Sequence, residues 1–302
     1  MDKLILEPVY KDYLWGGTLL KEKYNKDCDL PIVAESWELS CHPDGLSLIK
    51  NGEFAGKTLA EYLSINPAAL GKNVSDGRLP VLVKLIDAGD ILSVQVHPGN
   101  EYALKEENNS GKTEFWYVLD CKDGAELFFG FEKDISREEF VRRSRDGSIT
   151  EELKKIPVKK GDVFLIAPGT IHAIGKDMTV FEVSTNSNIT YRVYDFDRKD
   201  KKGVARELHI EKAADVFRCD LPKIQCENGV FDCGEFIETL ININGEKKIN
   251  VNGDSFQFIT CLEGSCKVDG EISLEAGGGV FLAAGYGDCA IIGEAVLIIT
   301  SV

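Results

Sequence analysis

Alternation of apolar and polar residues, the period of a half-buried strand, recurs along most of this chain. "LPVLVKLIDAGDILSVQVHP" (79–98) reads as two β-rich runs broken at Ala88-Gly89-Asp90. "TEFWYVLD" (113–120) and "AELFFGF" (125–131) read as strands joined by Cys121 to Gly124. "GDVFLIAPGTIHAIG" (161–175), "MTVFEVST" (178–185) and "ITYRVYDFDR" (189–198) return to strand and turn. Helical spacing is expected in three stretches. "KTLAEYLSINPAAL" (57–70) places Leu59, Tyr62, Leu63 and Ile65 on roughly one face. "SREEFVRRSRDGSITEELKKI" (136–156) is charged and looks inserted between strands, and "VARELHIEKAADVF" (204–217) reads as a short helix. "NEYALKEENNSG" (100–111) reads as a loop.

From about Cys226 the chain reads as short strands and glycine turns. "GDVFLIAPG" (161–169) is echoed by "GGVFLAAG" (278–285), as expected if two similar β units follow one another. The first copy runs on to His172, whereas no histidine follows His209. The expected fold is therefore mainly β, with a catalytic lobe at 1–225 and a smaller β lobe at 226–302 that carries no ligand.

Composition narrows the function. A length of 302 residues with 43% hydrophobic and 28% charged residues suits two modest globular domains or one large all-β domain. The start, "MDKLILEPVYKDYLWGG", has no apolar run of secretory length, and no segment is apolar enough for a membrane span. Nine cysteines with no CxxC pair suit free thiols in a cytoplasm better than a disulfide framework. A net charge of −15 and the lack of a basic stripe argue against nucleic acid. An anionic ligand would thus need locally gathered Lys and Arg.

Chemistry converges on "SVQVHP" (93–98). Period two places Ser93, Gln95 and His97 on one face and Val94 and Val96 on the other. Gly89, five residues, then Gln95-Val96-His97 resembles the first motif of the cupin superfamily, with Gln replacing the usual first His. "GDVFLIAPGTIH" resembles the second cupin motif, although its glycine-to-proline spacing is one residue longer. The resemblance implies a jelly-roll barrel, with helical insertions here, whose interior holds a metal. Glu114 in "GKTEFWYV" is the next carboxylate candidate and would share a strand face with Trp116. Such nitrogen and oxygen donors suit Zn²⁺ or a similar divalent ion.

"YLWGG", "AESWELSCHPDG", "LPVLVKLIDAGDILSVQVHP", "GKTEFWYVL", "APGTIHAIG" and "TYRVYDFDR" together resemble the type I mannose-6-phosphate isomerase family in its short bacterial form. The resemblance implies one Zn²⁺ per chain held by Gln95, His97, Glu114 and His172, with Arg192 and Lys112 in the active site. It implies a small sugar phosphate as ligand and aldose–ketose isomerisation through a cis-enediolate. Lys84 and Ser93, near the ligand strand, are candidate substrate contacts. The bland alternatives are a surface ion pair of Arg192 with Asp195 or Asp197, packing roles for Trp15 and Trp37, and ordinary hydrogen-bonded histidines at His42 and His209. A cupin non-haem iron oxygenase and a non-catalytic sugar-phosphate-binding cupin are the competing functions. A monomer or homodimer is expected.

Overall fold

The computed structural model describes residues 2–302, and all statements of number or absence below concern these residues. Two antiparallel sheets face each other to form the first barrel. One has six strands in the spatial order Val163–Ile166, Glu114–Cys121, Met178–Thr185, Val81–Ala88, Glu35–Leu39, Val9–Lys11. The other has five, in the order Leu153–Pro157, Glu126–Phe131, His172–Ala173, Val94–Val96, Tyr191–Tyr194. The mainly β barrel with helical insertions expected from the sequence is what forms.

Strand alternation decides which residues enter the barrel. In the six-stranded sheet Val81, Val83, Leu85, Phe115, Tyr117, Phe181 and Val183 bury in a core shared with the C-terminal lobe. Their neighbours Lys84, Glu114, Trp116 and Glu182 therefore point inward. In the five-stranded sheet Val94, Val96, Ala173, Tyr191 and Val193 face outward. They pack with Phe140 of helix Arg137–Asp146 and Ala213 and Ala214 of helix Ile210–Val216. Because both outer faces are covered, these strands are apolar on the outside and carry their polar groups within.

The C-terminal region departs from the short strands expected. Ile237–Val251 and Gly287–Ser301 each run fifteen residues and pair along their whole length. Some of the region's glycines, Gly245 and Gly293 among them, lie inside these strands and not at turns. Gly245 (φ +105°) pairs with Gly293, where a Cβ would lie 2.3 Å from the Ser265 carbonyl oxygen. Glycine thus lets the long ribbon bend and approach Gln257–Val268 closely. The bent sheet wraps its own core of Ile241, Val251, Val280, Leu282, Ile291 and Leu297. The strand Lys3–Glu7, at the opposite end of the chain, joins this sheet through Gly279–Leu282.

Three local readings also need correction. Residues 100–107 form helix Asn100–Glu107, not a loop. Only Ala103 is buried on it, so no apolar stripe announces it. Helix Leu59–Ile65, started by a Thr58/Glu61 capping box, buries Leu59, Tyr62 and Leu63 but leaves Ile65 59% exposed. Residue 65 falls well off the face set by residues 59, 62 and 63. Helix Ile210–Val216 begins only after His209, and the preceding residues run as an extended segment.

Glu238 gives the C-terminal lobe a pH dependence. It is fully buried, and cross-strand pairing puts it on the same side as Phe231 and Thr300. Thr300 Oγ1 donates to one oxygen at 2.9 Å, and the other oxygen has no partner. Burial, only partly opposed by the Thr300 hydrogen bond, holds the carboxyl well above its ordinary pKa. A folded pKa above the unfolded one gives stability that is full below the unfolded value, near 4.3, and lost as pH rises toward the folded value. Unfolding free energies from urea titrations between pH 5 and 8 should therefore fall by up to about 1.4 kcal/mol per pH unit from this group. Glu238→Gln should flatten that decline, and an identical slope in both proteins would assign it elsewhere.

Candidate metal centre and active-site cavity

Two rows of cross-strand neighbours build the site. On the five-stranded sheet His172 pairs with Gln95, and Gln95 pairs with Arg192. On the facing sheet Trp116 pairs with Glu182, Glu182 with Lys84, and Lys84 with Trp37, while Glu114 pairs with Ser184. Directly opposed residues in antiparallel strands point to the same side. One wall therefore presents imidazole, amide and guanidinium, and the other presents carboxylates and ammonium groups.

His97, Glu114 and His172 are all buried, with donor atoms within 4.8 Å of one another. His97 Nδ1 donates to the Ile189 carbonyl at 2.8 Å, and His172 Nδ1 to that of Thr170 at 2.9 Å. These bonds fix both tautomers and leave each Nε2 lone pair aimed at the carboxylate, 3.4 Å and 3.7 Å from Glu114 oxygens. His97 Nε2 and both Glu114 oxygens are buried without a well-angled hydrogen bond. Burial and the neighbouring His97 push the His172 pKa down to about 3, so the imidazole is neutral and able to ligate. The Gln95 side chain reaches within 3.3 Å of His172 Nε2 through its amide nitrogen. Ligation through Oε1 requires the opposite amide orientation, which the Ser93 hydroxyl, 3.3 Å from the Gln95 amide, can serve by accepting instead of donating. Orphaned lone pairs on nitrogen and oxygen, converging and dry, fit a divalent cation.

Charge around this centre is tightly coupled. Lys112 Nζ lies 2.5 Å from Glu114 Oε1 and 3.8 Å from Glu182 Oε1. Lys84 Nζ lies 3.2 Å from Glu182 and 3.6 Å from Glu35. Burial alone would raise the Glu114 pKa, but Lys112, His97 and His172 outweigh it and hold the carboxyl well below its ordinary range. Burial likewise works to lower Lys84, and Glu182 and Glu35 more than reverse it, so the ammonium stays charged. Two ammonium groups against three carboxylates leave this end a formal −1, which a divalent ion turns to +1.

The centre opens into a cavity of about 320 Å³ whose lining includes Trp15, Lys84, Ser93, Gln95, Lys112 and Arg192. Each site residue expected from the sequence lies on this cavity or at the triad behind it. Arg192 does not make the surface ion pair considered for it. Asp195 is taken by Arg198 (2.6 Å) and Arg206 (2.6 Å), while Arg192 donates to the Glu207 carbonyl at 2.9 Å. A bulge shifts the strand register between Arg192 and Tyr194. His209 also lines the cavity, with Nδ1 accepting from the Arg192 backbone N–H at 3.2 Å.

Glu35, Glu182, Arg206 and Tyr13 are lining residues that the sequence reading missed. The "YLWGG" glycines explain how Tyr13 and Trp15 reach the wall. A Cβ on Gly16 would lie 2.6 Å from that of Ala34, and one on Gly17 would lie 2.5 Å from Asp87 Oδ2. Asp87 in turn accepts from the Leu19 backbone N–H at 2.6 Å, strapping the segment to the barrel. A larger surface hollow, about 400 Å³ beside Lys122, Lys155 and Asp177, has none of the buried triad residues in its lining.

Comparison with known proteins agrees with this geometry. Residues 4–124 match the family model described as phosphomannose isomerase type I, catalytic domain. The chain is 46% identical over 215 residues to the probable mannose-6-phosphate isomerase GmuF of Bacillus subtilis, covering 70% of this chain and 67% of that one. It is 34% identical over 315 residues to the mannose-6-phosphate isomerase ManA of Bacillus subtilis, covering 96% and 98%. The crystal structure of the mannose 6-phosphate isomerase from Bacillus subtilis superposes with a TM-score of 0.90 at 33% identity, covering all of both chains. With a relative of that identity matched over nearly its full length, and with a His–Glu–His centre set in a two-sheet barrel, the chain belongs to the type I phosphomannose isomerase family.

Proposed function

We propose that this protein is a zinc-dependent isomerase interconverting mannose 6-phosphate and fructose 6-phosphate, with the chemistry in the lobe spanning 1–225. The observation that carries the reading is the convergence of His97, Glu114 and His172 at one end of a polar cavity, with Gln95 beside them. The free thiols of all nine cysteines accord with a reducing cytoplasm, and no described helix is long and apolar enough to cross a membrane.

His97, Glu114, His172 and Gln95 would hold the ion. When bound, a divalent cation supplies Lewis acidity and a template for two adjacent substrate oxygens. The chain's own groups do the remaining work. Trp15, Ile86, Leu92, Trp116 and Ile174 keep water from the reacting carbons. Moving a proton between C2 and C1 places negative charge on neighbouring oxygens. Lys112, buried between Glu114 and Glu182, presents its ammonium to one side of that charge. Arg192, one strand over from Gln95, presents its guanidinium from the other. These donors are preorganised, so little reorganisation accompanies the charge as it develops. Ser93 steadies the Gln95 amide, and Lys84 pairs with Glu182 and Glu35 on the cavity wall.

A coupled assay on mannose 6-phosphate, with and without chelator, tests the activity directly. Turnover should vanish with chelator and return with Zn²⁺, and an inactive metal-replete protein would overturn the reading. Metal content tests the ligand set separately. His97→Ala and His172→Ala should each lose most bound zinc after dialysis, with the circular-dichroism spectrum unchanged. Near-stoichiometric zinc in both variants would remove these residues from the centre.

Arg192 makes a sharper prediction. Arg192→Ala should lower kcat about a hundred- to thousandfold with zinc content normal. Arg192→Lys should recover only part of it, because an ammonium lacks the planar fork. A kcat for Arg192→Ala within about threefold of wild type, roughly 0.7 kcal/mol in the barrier, would exclude Arg192 from the reaction.

A further inference from the structure

The cavity has two ends of different character. Around the triad the protein groups sum to a formal −1, a deficit suited to a divalent ion, and both lysines there are committed to carboxylates. At the other end Arg192, Arg198 and Arg206 meet one buried carboxylate, Asp195, a formal +2. Asp90 and Glu207, also near these arginines, are solvent-exposed and screened by water. The arginines are also unevenly satisfied. Arg192 Nε is buried with no partner, and Arg192 makes no carboxylate ion pair. Arg206 shares Asp195 with Arg198, so its charge is only partly met. In a chain of net charge −15 this is a local surplus of cations on a closed surface.

The surplus is built by one segment, residues 195–209. Asp195 receives Nε and Nη2 of Arg206 at 2.8 and 2.6 Å and Nη2 of Arg198 at 2.6 Å, fixing both planes. Arg198 also donates to the Ile91 carbonyl, which ties the segment to the barrel. The Glu207 carbonyl orients Arg192, and His209 bonds its backbone at both Nδ1 and N–H. With His209 Nδ1 occupied as an acceptor, Nε2 carries the proton in the neutral ring and is a donor. The row from His172 through Gln95 to Arg192 spans two strand spacings, roughly 10 Å. An open-chain hexose phosphate with its carbonyl end at the triad would extend toward this end.

We infer that Arg206, delivered by the 195–209 segment and braced by Asp195, anchors the dianionic phosphate of the substrate. This makes it a specificity-determining residue that selects phosphorylated sugars over free ones. Planar guanidinium donors bind phosphate oxygens bidentately, and a fixed plane loses little entropy on binding. His209 adds a neutral donor beside it. The assignment moves phosphate recognition away from Lys84, whose charge is consumed by Glu182 and Glu35. It rests on the function proposed above.

Steady-state kinetics on mannose 6-phosphate, with inorganic phosphate as competitive inhibitor, test it in the zinc-replete full chain. Phosphate changes little between ground and transition state, so Arg206 contributes mainly uniform binding. Arg206→Ala should raise KM about ten- to hundredfold and weaken phosphate inhibition by a similar factor, with kcat falling far less than KM rises. Arg206→Lys should restore part of both. If the alanine variant does not fold, Arg206→Gln, which keeps a donor for Asp195, carries the same comparison. Unchanged KM and unchanged phosphate inhibition in the folded variant, alongside an active wild type, would overturn the assignment alone. An inactive zinc-replete wild type would instead overturn the isomerase reading on which it rests.

Discussion

A carboxylate buried in the interior of a β-barrel is the constraint from which the rest of the site follows. Glu114 is almost fully buried, and an ion in that position is strongly unfavourable unless opposite charge surrounds it. Lys112 supplies that charge from one side, 2.5 Å from Glu114 Oε1. Lys112 also approaches Glu182, which draws in Lys84, which draws in Glu35, whose second contact is the Trp37 indole N–H at 2.7 Å. Each member exists to satisfy the one before it, and the series ends short by one positive charge. That deficit, beside lone pairs with no hydrogen bond, is the electrostatic form of a cation site. The same shortage explains why removing a single partner from such a network is more damaging than replacing it whole.

Barrel geometry makes the arrangement affordable in packing terms. Strand alternation gives each sheet one inward and one outward face. Here the outward faces bury the aliphatic and aromatic residues, one sheet against the C-terminal lobe and the other against two helices. The inward faces are thereby released from core duty and can be polar. The C-terminal lobe covers one outer face of the barrel, and none of the described cavity-lining residues lies beyond His209. Pairing of Lys3–Glu7 with Gly279–Leu282 fastens the two ends of the chain across that shared core.

Much of this was legible in the sequence, and the losses have physical causes. Period two correctly grouped Gln95 away from Val94 and Val96, and Glu114 with Trp116, because strand alternation is set by the backbone. Motif resemblance brought in His172 and Arg192, which no local pattern could join to them. Glu35 and Glu182 were passed over because neither has a basic partner in its own stretch of sequence, and only their pairing with Lys84 across strands gives them meaning. Arg206 and His209 were hidden in a stretch whose composition suits a helix but which runs extended because it is tied down at Asp195 and Arg192. Helix Asn100–Glu107 lacked an apolar stripe, and the glycines of the C-terminal region bend strands that they were expected to end.

Asp195 shows how the cationic end is kept from disrupting itself. Guanidinium groups crowded at a half-buried surface repel, and burial with the nearby Arg206 holds the Arg192 pKa below its ordinary value. The group stays protonated even so, since arginine retains its proton in proteins. One carboxylate placed between Arg198 and Arg206 relieves most of the repulsion while fixing two planes. A second acid would neutralise the end, and none would leave the segment free to swing outward. With one, Arg198 and Arg206 are held in place while the three arginines keep a formal +2 at this end of the cavity.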